Sequence, residues 1–157
     1  MLEEDHLQHP RLRPVEAFPV QMDGQEFICV QDPEIRQVIN AIRETIDETS
    51  GRICVIAGAD LTHVGRRFGD LSGPTENSLQ DVEREDLLFL KFVEEGDAEG
   101  VFHSIAADND RRRICGYPPI YMTLRCIDKP EGKLLQYRQW SDLDAGAAVT
   151  YAAVAIF

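Results

Sequence analysis

The amino-acid sequence predicts an α/β protein, a mixed sheet with flanking helices. Two observations carry that prediction. Ile35, Val38, Ile39, Ile42 and Ile46 recur at spacings of three and four, which is one face of an amphipathic helix. Directly after it, Arg52-Ile53-Cys54-Val55-Ile56-Ala57 is a short apolar run, the pattern of a strand buried on both faces in a parallel or mixed sheet. A helix feeding a buried strand is α/β grammar.

The elements follow in chain order. Residues 1–33 read as an N-terminal leader punctuated by Pro10, Pro14, Pro19 and Pro33. Within it, Gln25–Val30 reads as a short strand behind a Met22-Asp23-Gly24 turn, placed to form a hairpin with Ala17–Val20. Residues 34–157 read as the α/β domain. Its first helix spans 34–49 and stops at Thr49-Ser50-Gly51, with Gly51 available for a left-handed cap. The strand over 52–57 comes next. Residues 58–80 form a long polar connection, and connections of that length are more often functional or disordered than incidental. Helical periodicity returns over 81–95, with Leu87, Leu88, Leu90, Phe92 and Val93 on or near one side and Gly96 as its stop. The acidic run Asp81–Asp86 reads as a solvated face with favourable charge at a helix start. Asp97 caps a short helix over 97–108, with Val101, Phe102 and Ile105 inward. Arg111–Gly116 is a basic turn, and Pro118 and Pro119 open a helix whose body is Ile120–Ile127. Lys129–Gly132 is a turn. Leu134–Trp140 and Ala148–Phe157 are strands joined by the Asp142–Gly146 loop, the last apolar enough to lie inside a sheet.

Composition narrows the function. The 157 residues fit one domain, and a chain of this length needs no covalent staples. Acidic residues outnumber basic ones 28 to 16, for a net charge of −12. That speaks against nucleic acid, whose phosphates need a basic face, and against an anionic membrane surface. No apolar run is long enough to span a bilayer. MLEEDHLQHP is acidic and carries no secretory signal, so a cytoplasmic setting is expected. Cys29, Cys54, Cys115 and Cys126 show no CxxC pair and no zinc-ribbon spacing, and read as reduced thiols. Cys29, Cys54 and Cys126 lie in apolar runs and read as core residues.

Two constellations could carry chemistry. Gly58-Ala59-Asp60-Leu61-Thr62-His63-Val64-Gly65 leaves the predicted buried strand at its carboxyl end, where open α/β sheets place ligands. A neutral imidazole can ligate a metal or act as a base, and a nearby carboxylate can fix its tautomer. The plainer reading is a loop whose Asp60 and His63 satisfy backbone groups. The second is Arg111-Arg112-Arg113-Ile114-Cys115-Gly116-Tyr117-Pro118-Pro119. A thiol near a helix start and flanked by guanidinium groups would be pushed toward thiolate, the form that binds soft metals. The plainer reading is a structural cysteine beside solvated arginines. His6 and His9 read as a solvated chain end, and His103 as a surface or boundary residue. No P-loop, GxGxxG, GxSxG or EF-hand pattern is present.

Together these motifs carry a resemblance. Val55–Gly65 resembles the S-D-x-[ST/C]-H-x-G signature of the MEMO family (mediator of cell motility). Ile114-Cys115-Gly116 with Pro119-Ile120 resembles that family's I-C-G-R-H-P-I motif. Tyr137 and Val149-Thr150-Tyr151-Ala152-Ala153 are similar to its closing strand pair. The bacterial and archaeal branch is the AmmeMemoRadiSam system protein B, and residues 9–33 resemble the leader of its longer bacterial members. The resemblance covers roughly residues 35–157, the C-terminal part of a MEMO domain. It implies a fold related to the class III extradiol dioxygenases, with the N-terminal half lacking.

The resemblance also implies a site. Asp60, His63 and Cys115 match the family's pocket residues, with His63 and Cys115 as metal ligands and copper or iron as the metal. Two departures qualify it. The family's two N-terminal-half histidines have no counterpart, as if the middle of a longer protein were removed near Pro33–Glu34, and Tyr117-Pro118 stand where the family has Arg-His. Catalytic metal sites usually keep about three protein ligands and an open position, so the expected set is incomplete within one chain. The expected activity is metal-assisted redox or dioxygenase-like chemistry, with His63 as base or ligand, Cys115 as thiolate ligand and Asp60 orienting His63. The alternatives are a non-catalytic module binding a peptide or small molecule, and a truncated product without independent function. An uncovered sheet edge favours self-association, and a homodimer could bring two half-sites together.

Overall fold

A computed structural model describes residues 33–128 and 130–157. The leader, with its expected hairpin, Cys29, His6 and His9, lies outside the described residues apart from Pro33. Pro33 opens helix α1, Pro33–Glu48, because a proline at the first helical position loses no hydrogen bond. Of its apolar stripe only Ile39 is buried. The helix is fastened to its neighbour by Arg43, which donates to the Arg125 carbonyl at 3.2 Å and pairs with Asp128 at 2.9 Å.

The segment over 52–57 is not a strand. Its apolar side chains are open to solvent, with Ile56 82% exposed, and Cys54 is exposed rather than core. A strand exists only with a ladder partner, and none of the described strands pairs with this segment. The parallel component it was expected to supply is therefore absent among the described residues. The connection over 58–80 contains more structure than expected. It holds strand β1, His63–Gly65, a 3-10 turn at Arg66–Phe68, and the start of α2, Glu76–Glu94. That helix begins five residues earlier than the periodicity indicates because Thr75 and Ser78 cap it reciprocally.

The remaining elements agree closely with expectation. Helix α3, Ala98–Ala106, is capped by Asp97, which accepts from the Gly100 N–H at 2.8 Å. Helix α4 is Tyr117–Cys126, and strands β2 and β3 are Gly132–Asp142 and Ala147–Ile156. The strands form an antiparallel sheet in the order β1-β3-β2, with His63 opposite Val149 and a bulge at Leu134–Gln136. Helices pack on this sheet, so the α/β class stands. The core joins Phe89, Leu90 and Val93 of α2 to Val101 and Ile105 of α3 and to Tyr121 and Leu124 of α4. Cys126 is buried, as its apolar run indicates. None of the described helices is long and apolar enough to cross a membrane.

One correction falls inside α2. Its buried stripe is Val82, Asp86, Phe89, Leu90 and Val93, while Leu87 and Leu88 face outward. Asp86 is fully buried, so the acidic run is not a uniformly solvated face.

Candidate metal centre

Two apolar anchors present the site. Leu61 and Thr62 are buried against the sheet, and backbone bonds tie them to Thr150 (Leu61 N–H to its carbonyl at 2.8 Å, its N–H to the Thr62 carbonyl at 2.9 Å). Asp60 and His63, on either side, are thereby left at the surface or half-buried. On the other loop, buried Ile114 and Tyr117 bracket an exposed Cys115. The chain between α3 and α4 reaches this place through Asn109, Asp110 and Arg113, all with positive φ. Asp110 stabilises the turn by accepting from the Ile114 N–H at 2.8 Å. Positive φ at an arginine is uncommon and costs about 1–3 kcal/mol, held by surrounding structure.

The two loops touch where Gly116 lies against Asp60. A Cβ at Gly116 would stand 2.2 Å from the Asp60 carbonyl oxygen and 2.9 Å from the Ala59 Cβ. Only glycine permits that approach. It brings together a carboxylate, an imidazole nitrogen and a thiol. The ligand atoms of Asp60, His63 and Cys115 lie within 4.8 Å of one another. Asp60 Oδ2 is 3.9 Å from His63 Nε2, and Cys115 Sγ lies 3.9 Å from the Asp60 carbonyl oxygen.

The imidazole is oriented from its far side. His63 Nδ1 faces the Leu61 carbonyl at 3.0 Å and the Arg113 carbonyl at 3.1 Å. Carbonyls only accept, so Nδ1 carries a proton; in the neutral ring the lone pair is then on Nε2, which stands 3.9 Å from Asp60 Oδ2. Backbone carbonyls, not Asp60, thus hold the tautomer. Phe68 packs edge-on against the ring at 5.1 Å.

The arginines do not serve the thiol. Arg111 pairs with Glu85 and Arg112 with Asp86, each at 2.7 Å, and Arg113 pairs with Asp70 at 2.6 Å. Burial pushes the Cys115 thiol above its ordinary value, and the charges of Asp60 and Asp110 push it the same way. The expected drift toward thiolate is therefore reversed in the free protein. Burial likewise raises the Asp110 carboxyl, against the bond from Ile114. For Asp70, burial alone would raise the carboxyl, but the Gly65 N–H and the Arg113 guanidinium outweigh it and hold the group below its ordinary value.

Behind the site lies a network that motif reading missed. Asp86 accepts from Thr62 Oγ1 at 2.6 Å and Arg112 at 2.7 Å through one oxygen, and from Thr150 Oγ1 at 2.5 Å and Tyr137 Oη at 2.9 Å through the other. The signal was available: Asp86 stands at i+4 from Val82 and i−3 and i−4 from Phe89 and Leu90, squarely on the apolar stripe. His103 is exposed on α3 against Phe102, away from any donor cluster among the described residues. Beside the site runs a groove of about 770 Å³, walled by Ile53, Val55, Ile120, Val154 and Ile156 and bordered by Ala59.

Comparison with known proteins places the chain in a family. The model of the Memo-like protein family matches residues 18–155. The chain belongs to that family. It is 25% identical over 126 residues to a MEMO1 family protein of Aquifex aeolicus, an alignment that covers 78% of this chain and 32% of that protein. It is 28% identical over 143 residues to a MEMO1 family protein of Thermus thermophilus, covering 91% of this chain and 41% of that one. The chain therefore spans 32% to 41% of the length of these MEMO1 relatives.

The donor set fits a transition metal. Two donors on one ion at usual thiolate and imidazole bond lengths stand up to about 4.4 Å apart. The three donor atoms lie within 4.8 Å of one another, so the side chains would draw in around a bound ion. Thiolate and imidazole together suit copper and iron, and a carboxylate adds a hard donor and a compensating charge.

Proposed function

We infer that this MEMO-like chain binds one copper or iron ion through His63, Cys115 and Asp60 and uses it for metal-assisted redox chemistry. The observation that carries this reading is the convergence of the three donors around an imidazole that two carbonyls hold at Nδ1, with Nε2 on the Asp60 side. His63 supplies that neutral nitrogen, already oriented by two carbonyls. Cys115 supplies the soft donor, which must lose its proton as metal binds. Asp60 is exposed and stands at the solvent side, where it balances charge and can take a proton from an incoming ligand. A copper or iron ion held there would supply one-electron chemistry and polarise a bound oxygen group. Three protein donors with an open side match the catalytic rather than the structural pattern.

Calorimetric titration with cuprous and ferrous ions, with metal analysis, tests this reading. Near-stoichiometric binding is expected, weakened at least tenfold in His63→Ala and in Cys115→Ala, and less in Asp60→Ala. Weak binding indifferent to all three substitutions would end the reading.

The apolar groove favours a second reading, a module that binds an apolar small molecule or peptide segment beside the site. Its signature is uptake of an environment-sensitive apolar dye that Ile53→Asp abolishes and His63→Ala leaves intact.

A further inference from the structure

His63 opens strand β1 and Cys115 lies 52 positions later, in the loop before α4, and the two segments share no regular hydrogen-bonded ladder. Something must hold one loop in register with the other, because an imidazole rotated away from its seat loses its fixed tautomer. The seat is the Leu61 carbonyl on one side and, across from it, the Arg112-Arg113 dipeptide. The Arg112 carbonyl accepts the His63 backbone N–H at 2.7 Å, and the Arg113 carbonyl faces Nδ1 at 3.1 Å. The Arg113 guanidinium returns a bond to the His63 carbonyl at 3.2 Å. Arg112 also meets Glu85 and Asp108, and Arg113 pairs with Asp70, but one oxygen behind the seat joins its two sides. Asp86 Oδ1 receives Thr62, the residue before His63, and Arg112, the first residue of the seat. Both loops are thus pinned to one atom of a rigid helix.

We propose that Asp86 is the positioning residue of this centre, holding His63 on its carbonyl seat through Thr62 and Arg112. The inference deepens the metal-centre reading and rests on it only for metal affinity; the state of the imidazole is a property of the free protein. The two oxygens of Asp86 do different work. Oδ1 joins the site segments directly, whereas Oδ2 receives Thr150 and Tyr137 from the sheet and fastens α2 to β2 and β3, with the Thr150 hydroxyl also accepting the Thr62 N–H at 2.9 Å. Removing a donor from each side therefore separates positioning from stability.

The test compares Thr62→Val, which deletes a donor to Oδ1, with Tyr137→Phe, which deletes a donor to Oδ2. Both are near-isosteric, so the hub keeps its remaining partners. Nitrogen NMR of the metal-free protein reads the His63 tautomer, and competition with a chromogenic chelator reads affinity for cuprous ion. Wild type is expected to hold a single Nδ1–H tautomer. Thr62→Val is expected to show a mixture of tautomers and about a tenfold loss of cuprous affinity, the size of effect seen when partners of a ligating histidine are removed. Thr62→Ser, which keeps the hydroxyl, restores both. Tyr137→Phe lowers thermal stability yet keeps the wild-type tautomer and affinity. A single tautomer in Thr62→Val overturns the proposal. So does an equal change of tautomer in Thr62→Val and Tyr137→Phe, which would mean general loosening. Failure of wild type to take up cuprous ion would instead overturn the metal reading, with the tautomer result still deciding the role of Asp86.

Discussion

At the scale of single residues, the chemistry of the centre is set by which group faces which atom. Cys115 is solvent-reachable, yet burial and the charges of Asp60 and Asp110 raise its thiol. Alkylation of Cys115 is therefore expected to need a pH above that of an ordinary thiol, and Asp60→Asn is expected to move the rate profile back toward lower pH. Peptide mapping after iodoacetamide labelling across pH reads both. Asp70 gives the opposite sign. Its carboxyl is held below the ordinary 3.8, so the folded state binds its proton less readily than the unfolded chain. The stabilisation is complete at neutral pH and is lost as pH falls through the lowered folded value. Asp70→Asn is expected to be less stable than wild type at pH 7, with the gap closing below about pH 4 in urea titrations. Gly65 belongs to the same clamp. Its φ of 112° and a would-be Cβ 2.2 Å from the Gly146 carbonyl oxygen exclude any other residue, and its N–H reaches Asp70 at 2.6 Å.

At the scale of elements, local signals and tertiary context divide cleanly. Asp97 as a cap, the prolines before Ile120 and the paired terminal strands were legible because each is specified within a few residues. The strand at His63–Gly65 was not, since three residues carry no alternation and its pairing with Ala147–Val149 is set at long range. Residues 52–57 show the reverse failure. Their composition reads as a buried strand, but burial needs neighbours, and none of the described strands supplies a ladder. The family resemblance, rather than spacing, indicated that Asp60, His63 and Cys115 gather, while the seat of His63 could not be read because it is made of backbone carbonyls. Ile56→Lys, at an 82% exposed position, is expected to change unfolding free energy by less than about 0.5 kcal/mol. A thermal scan showing a large loss would mean that this segment is buried after all.

At the scale of the whole molecule, the helices and sheet meet over one buried ion pair. Arg112 and Asp86 are almost wholly removed from water, and hydroxyls from Thr62, Thr150 and Tyr137 complete the carboxylate. Burying the Tyr137 phenol beside Asp86 raises its pKa well above the ordinary value, so it stays a donor throughout the stable range. Such a pair can contribute little net stability against an apolar replacement, but removing one partner strands the other and costs about 3–5 kcal/mol. Arg112→Met is therefore expected to destabilise the fold by about that amount in urea unfolding.

The most direct test of the proposed metal centre is spectroscopic. Cobalt(II) loaded into the purified chain should give a thiolate-to-metal charge-transfer band at one equivalent, absent in Cys115→Ser and altered in His63→Ala. A cobalt spectrum with no thiolate band, identical in wild type and both variants, would contradict a centre built from His63 and Cys115.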